Sequence, residues 1–177
     1  MSLTRMDLSL LDIESINKNA NRAYNDDQYE FECIITTPKV NVDSFTRVMN
    51  LCRKKTCTGN WKNIKDRSKS LDITIGSYRV SIYGIHYIEE YFKTDKLTNL
   101  PSNAWIVIKK EKQDSATLSI GCKINLKSEN SVDKTGGDFG NILANWKKLK
   151  KTFRLKNRYS YLVDERYSVD LTVVKSG

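Results

Sequence analysis

The chain has 177 residues, a formal charge of +9 and a pI of about 9.3. The length suits one domain with a sizeable core, and the charge favours anionic partners such as nucleic acid, nucleotides or an acidic membrane surface. One histidine (His86) and four cysteines (Cys33, Cys52, Cys57, Cys122) with no Cys-x-x-Cys pair argue against a structural zinc site, a multi-histidine metal centre or a histidine-based triad.

Taken in chain order, Leu8, Leu11 and Ile16 form an apolar stripe, broadened by Leu10 and Ile13. It predicts a helix over 7–24, ended by Asp26-Asp27. Residues 29–37 read as a strand with Tyr29, Phe31, Cys33 and Ile35 on one face and Glu30, Glu32, Ile34 and Thr36 on the other. Asn41 or Asp43 caps a second helix, in which Phe45, Val48, Met49 and Cys52 recur at helical spacing. Residues 56–70 read as a basic, polar loop or weak hairpin carrying Trp61, Lys62, Lys65, Arg67 and Lys69. Residues 71–83 are rich in β-formers, with Gly76 marking a turn or bulge. Ile88, Tyr91 and Phe92 predict a short helix. Residues 105–112 and 116–127 form an antiparallel pair that turns at Gln113-Asp114-Ser115. Residues 128–140 are a loop whose Gly136-Gly137 lacks the spacing of a P-loop. Phe139, Ile142, Leu143, Trp146 and Leu149 mark a helix that ends in the basic run 147–151. Two strands follow, over 153–161 and 169–175. Strands that succeed one another without regular helical crossovers indicate an α+β fold of six to eight strands and three or four helices. An antiparallel sheet or closed barrel fits better than a doubly wound sheet.

The alternation in the last two strands carries most of the chemistry. Arg154, Lys156 and Arg158 share one face, and Asp170 and Thr172 share a face of the next strand. Such a cationic face with an acidic neighbour suits a polyphosphate better than a hydrophobic core. Glu30 and Glu32 place two carboxylates on one strand face. Left unpaired they raise each other's proton affinity, and a hard divalent cation relieves that repulsion; a lone Glu-x-Glu is more often a solvated strand face. Lys123, Asn125, Lys127 and Glu129 share parity on a later strand, opposite Ile124 and Leu126, and an amphipathic strand facing water explains them equally well. Arg79 lies on a polar face between Ser77 and Ser81. Lys109 and Lys110 follow an apolar run, and either one can face a site. His86 reads as a surface or packing residue, and the 147–151 lysines read as a solvated helix end, with RNA contact as the alternative.

Four segments occur in an order that resembles a known family: Tyr29-Glu-Phe-Glu-Cys-Ile34, Ser119-Ile-Gly-Cys-Lys-Ile-Asn-Leu-Lys-Ser-Glu129, Arg154-Leu-Lys-Asn-Arg158 and Val169-Asp-Leu-Thr-Val-Val-Lys175. Together they resemble the metal-dependent RNA triphosphatases of the triphosphate-tunnel type, and most nearly the amino-terminal domain of mRNA capping enzymes of large DNA viruses. The resemblance implies an antiparallel β-barrel of about eight strands with a few packing helices, enclosing a charged tunnel. It implies hydrolysis of the γ-phosphate from 5′-triphosphate RNA, the first step of capping. Glu30 and Glu32 would bind Mg²⁺ or Mn²⁺. Arg79, Lys156 and Arg158 would contact phosphate oxygens, with Lys109 or Lys110 as a fourth cation and Lys123 and Thr172 also at the substrate. Glu129 would position or activate the attacking water, and Asp170 would support the site.

The family carries a second Glu-x-Glu on a carboxy-terminal strand, which this sequence does not show. The expectation is therefore a single triphosphatase-like domain over 1–177, the amino-terminal part of a longer capping enzyme without its last acidic strand. Ser168 stands where relatives often have a base, and Ile34 at the fifth position of the Glu-x-Glu segment fits the capping branch of the superfamily. Implied partners are 5′-triphosphate RNA, nucleoside triphosphates, and guanylyltransferase and methyltransferase domains in the same polypeptide. No apolar run is long enough to span a bilayer and the amino end lacks a signal-peptide pattern, so the expected setting is intracellular, cytoplasmic or in a viral factory or virion, without a membrane. The rival readings are a non-catalytic RNA-binding or capping-partner module and an inorganic polyphosphatase or nucleoside triphosphatase on the same fold.

Overall fold

A computed structural model describes residues 8–35, 40–59, 61–163 and 167–177, with the side chains of 63–67 excluded. Residue 7 and residues 36–37, assigned from sequence to the first helix and strand, lie outside the described residues. The elements are α1 (Leu10–Asn25), β1 (Tyr29–Ile35), α2 (Val42–Cys57), β2 (Trp61–Ile75), β3 (Tyr78–Tyr83), α3 (Ile85–Thr94), β4 (Trp105–Thr117), β5 (Cys122–Ser131), α4 (Gly137–Ala144), β6 (Thr152–Val163) and β7 (Tyr167–Ser176), with three short 3-10 turns. Every described pairing is antiparallel. The α+β antiparallel class expected from sequence is the observed one, with seven strands and four α-helices among the described residues.

The chain divides into two compact units, residues 1–39 with 108–131, and residues 40–107 with 132–177. In the first, β5 pairs with β1 on one side and β4 on the other, in the order β1-β5-β4. Ile124 and Leu126 of β5 are fully buried, each contributing about 1.5–3 kcal/mol. Helix α1 lies against β1 and β5. It begins with a reciprocal capping box, in which Ser9 Oγ accepts from Asp12 N and Asp12 Oδ2 accepts from Ser9 N, both at 3.1 Å.

The apolar stripe predicted for this helix faces outward: Leu10 is 79% and Leu11 74% exposed, whereas Asp12 and Asn19 are buried. The helix docks through polar contacts instead. Asp12 accepts from Ser119 N at 3.2 Å and from the Ser119 hydroxyl, which ties α1 to the β4–β5 turn. The Ser119 hydroxyl is the largest of the contacts that hold the Asp12 carboxyl below the ordinary value of 3.8. A depressed folded-state value stabilises the fold above the unfolded value, and that contribution fades as pH falls through the folded one. Asp12→Asn should therefore lower the melting temperature at neutral pH, and the gap to the wild type should close as the pH is taken below 3.8. A gap independent of pH would assign the effect to shape rather than charge.

The β4–β5 connection also differs from its prediction. Gln113-Asp114-Ser115 has a turn-like composition, but there the strand continues through a bulge between Lys112 and Asp114. The reversal falls at 118–121, where Leu118 N donates to Cys122 O at 2.7 Å and Gly121 adopts φ +76°. Only glycine takes that conformation without a steric cost.

In the second unit the strand order is β3-β2-β6-β7. Residues 61–70, read from sequence as a loop or weak hairpin, form the first part of the 15-residue strand β2. Register shifts between Asn63 and Lys65 and between Lys65 and Ser68 accommodate it on β6; pairing to β6 overrides a polar local sequence. Gly76, at φ +56°, makes the β2–β3 turn as expected. One face of these strands is the core: Leu71, Ile73, Val80 and Ile82 are buried with Ile88 and Tyr91 of α3, Phe139 of α4 and Trp146. Helix α4 stops at Ala144, and Trp146 begins a 3-10 turn, so the helix is shorter than its apolar spacing predicts. In α2, Asn41 is the cap, its Oδ1 accepting from Ser44 N at 2.8 Å, while Met49 and Cys52 are buried and Val48 is not.

Candidate functional site

Two polar sheet faces collect the residues singled out from sequence, one in each unit. In the first unit, register places Glu30 opposite Lys127, Glu32 opposite Asn125 and Lys110 opposite Glu129. Directly paired residues share a face, so Glu30, Glu32, Lys123, Asn125, Lys127, Glu129 and Lys110 all lie on one side of β1-β5-β4. Lys127 pairs with Glu32. Lys110 pairs with Glu129 and approaches Glu30 Oε2 at 3.6 Å. The mutual repulsion of the two strand carboxylates is thus relieved by ammonium groups from neighbouring strands. Lys109, the alternative to Lys110, projects from the opposite face, where it pairs with Glu111 at 2.7 Å. Lys123 is opposite Ile34, one row beyond the Glu32–Asn125 pair.

These carboxylates are hard oxygen donors of the kind Mg²⁺ and Mn²⁺ prefer. Among the described residues no three acidic, histidine or cysteine side chains converge into a chelating cluster. Glu30 and Glu32 offer two such donors, and both face ammonium groups, Lys110 and Lys127; a cation there would have to compete with those lysines and take its other ligands from water and phosphate oxygens, the usual habit of Mg²⁺.

In the second unit the face opposite the core is cationic. Ser68 is opposite Arg158, Ser70 opposite Lys156, and Asp72 opposite both Arg154 and Ser81. Ser68, Ser70, Asp72, Arg79, Ser81, Lys156 and Arg158 line a depression of about 270 Å³. Three cations and several hydroxyl groups, with Tyr83 and Ser160 also in the lining, form a surface suited to phosphate oxygens. Arg158 is held from the neighbouring strand: its Nε donates to Thr172 Oγ1 at 3.2 Å and its Nη1 lies 3.3 Å from Asp170 Oδ2. The alternation read in the last two strands therefore does bring Arg158, Asp170 and Thr172 together, in the register Arg158 to Thr172.

The residue missed from sequence is Asp72. It is 1% exposed, accepts from Ser81 Oγ at 2.9 Å and pairs with Lys156. A buried acid beside Lys156 holds that ammonium in place and offsets the repulsion among the cations while no anion is bound. Its one legible signal was parity: Asp72 sits between Leu71 and Ile73 on the face of Ser70 and Thr74, opposite the side that builds the core.

No protein-family model matches the chain, and no curated protein matches its sequence. Solved structures do match. The triphosphatase of the Mimivirus capping enzyme superposes with a TM-score of 0.69 at 18% identity, over 96% of this chain and 80% of that one. The RNA triphosphatase domain of a trifunctional Mimivirus mRNA capping enzyme superposes with a TM-score of 0.67, also at 18% identity, over 97% of this chain and 81% of that one. At that identity the likeness is one of backbone architecture, and it spans nearly the whole chain. The resemblance read from four short segments thus holds at the level of fold: this chain has the α+β antiparallel fold of the Mimivirus capping-enzyme triphosphatase.

Proposed function

We propose that the chain is a divalent-metal-dependent phosphohydrolase that removes the γ-phosphate from 5′-triphosphate RNA. The observation that carries the reading is the hydroxyl-rich cationic depression of Arg79, Lys156 and Arg158, on a fold shared with capping-enzyme triphosphatases. On this reading guanylyltransferase and methyltransferase domains accompany it in the same polypeptide; the structural neighbour is one domain of a trifunctional mRNA capping enzyme. No helix among the described residues is long and apolar enough to cross a membrane.

No covalent nucleophile is required. Arg79, Lys156 and Arg158 neutralise the charge that spreads over the phosphoryl oxygens during in-line attack by water. Arg158 is preorganised for this by Asp170 and Thr172, and Lys156 by Asp72. On the polar face of the first unit, Glu129 would orient water, and Lys123 and Lys110 would add positive charge for an anionic substrate. Glu30 and Glu32 on that face would hold Mg²⁺ or Mn²⁺, whose contribution when bound would be Lewis-acid polarisation of a phosphate oxygen.

The test is phosphate release from 5′-triphosphate RNA, ATP and tripolyphosphate, each with Mg²⁺, Mn²⁺ or a chelator. Release from the RNA that needs the metal and exceeds release from ATP and tripolyphosphate supports the reading. Preference for tripolyphosphate or ATP moves the activity to a polyphosphatase or nucleoside triphosphatase. No release from any substrate, with RNA binding indifferent to the 5′ end, leaves a non-catalytic RNA-binding module.

A further inference from the structure

The second unit has another concave feature, on the helical side of its core and lined by none of the residues of the phosphate depression. Where α3 gives way to 95–98 and α4 to its 3-10 turn, a cleft of about 430 Å³ opens, floored by Leu97 and Trp146 and rimmed by Lys96, Lys147 and Lys148. Its floor is fixed. The Trp146 indole N–H donates to Tyr91 Oη at 3.2 Å and to Asp95 Oδ1 at 3.3 Å, and its ring meets Tyr91 edge-on at 6.3 Å. Lys151 lies 5.1 Å above the Trp146 ring, donates to the Trp146 carbonyl at 2.6 Å and stands 3.7 Å from Asp95.

The charge of this cleft is lopsided. Its one acid, Asp95, is already engaged by the Tyr91 hydroxyl at 2.9 Å, by Trp146 and by Lys151. Burial, then the Asp95 contact, pushes the Tyr91 phenol up, so it stays protonated and keeps donating. The rim lysines Lys96, Lys147 and Lys148 are exposed, and their side chains have no ion pair or hydrogen bond within the described residues. A helix end attracts one or two lysines through its carbonyls. That does not account for three ammonium groups from two separate segments around one cavity, beside an acid that is already neutralised.

We propose that this cleft binds the phosphodiester chain of single-stranded RNA, with Lys96, Lys147 and Lys148 as the phosphate contacts. A pocket of this size admits a ligand of about nucleotide dimensions. The occupant rests on the function proposed above: a substrate whose triphosphate end enters the cationic depression carries further anionic chain, and this cleft is a second cationic concavity in the same unit. The cleft's geometry and charge are independent of that function.

The experiment measures anisotropy of a labelled single-stranded 5′-hydroxyl RNA with the full chain over a series of salt concentrations, for the wild type and for the triple variant K96E/K147E/K148E. The expected result is an affinity loss of about tenfold or more at low salt, with the slope of log affinity against log salt reduced by about 2, the value for three lost single-strand phosphate contacts. The triple glutamine variant, which keeps the side-chain bulk, should show the same slope change with a wild-type melting curve. Tripolyphosphate hydrolysis should be unchanged in both. Unaltered RNA affinity and slope in the triple variants overturn the proposal, as does polyglutamate binding as tightly as RNA through the same lysines, which would make this a site for an acidic protein. A chain that binds RNA through these lysines but releases no phosphate from any substrate overturns the phosphohydrolase reading alone. One that releases phosphate with unchanged RNA binding in the triple variants overturns this site alone.

Discussion

Glu30→Ala and Glu32→Ala should each reduce metal-dependent phosphate release by at least about 10²–10³-fold, the scale seen when one preorganised electrostatic group is removed from an active site. Far-UV circular dichroism and the melting temperature should barely move. The two effects separate because the Glu32–Lys127 pair and the Lys110–Glu30 approach are partly exposed, and such pairs contribute about 0–1 kcal/mol to stability. Lys109→Ala is the internal control, since Lys109 points away from the acidic face toward Glu111; its turnover should stay within about twofold of wild type, as for a surface change of no more than about 0.5 kcal/mol. Adding excess Mn²⁺ should recover part of the Glu30→Ala or Glu32→Ala activity if the lost group is a metal ligand. Full activity in both variants would remove the metal assignment, and loss of activity with loss of fold would recast the glutamates as structural.

Asp72→Ala should be the most destabilising single change in the cationic face. Lys156 is 14% exposed at its side chain and Asp72 2%, so the substitution leaves a nearly buried ammonium without its carboxylate and Ser81 without its acceptor. Breaking a buried pair from one side costs about 3–5 kcal/mol, measurable as a lower urea midpoint at unchanged slope. Replacing both partners with apolar residues, Asp72→Leu with Lys156→Met, should restore much of that stability, because neither charge then remains buried alone. It should not restore turnover, because Lys156, the cation proposed to contact phosphate, is gone. Lys156→Met alone is the diagnostic arm: it leaves the buried Asp72 carboxylate uncompensated and should destabilise the protein on the same scale as Asp72→Ala. A stability change below about 1 kcal/mol in Asp72→Ala, the range of an exposed pair, would show that Asp72 does not anchor Lys156.

The site residues that were legible in sequence are those whose meaning lies in parity. Alternation on 154–158 and 170–172 was enough to give each strand one charged face, because side chains two apart on a strand share a face; the β6–β7 register then brings Arg158 to Asp170 and Thr172. The Asn41 cap, the Gly76 reversal and the helix around Tyr91 are local in the same sense. The β4–β5 turn was misplaced because turn-like composition at 113–115 outweighed a single glycine at 121, and only backbone conformation distinguishes a bulge from a reversal.

By itself, then, the order of residues determined the α+β class, a cap for α2 at Asn41 or Asp43, the alternating charged faces and the resemblance of four segments to a family. These depend on interactions between residues a few positions apart. Tertiary structure decided that residues 61–70 join a long strand, that α1 docks through Asp12 rather than its leucines, that Lys110 and not Lys109 meets the acidic face, and that Asp72 is buried against Lys156. Each of those outcomes turns on a partner far along the chain. Whether a polar group is solvated or paired is set by what the fold places against it, and no local pattern carries that information.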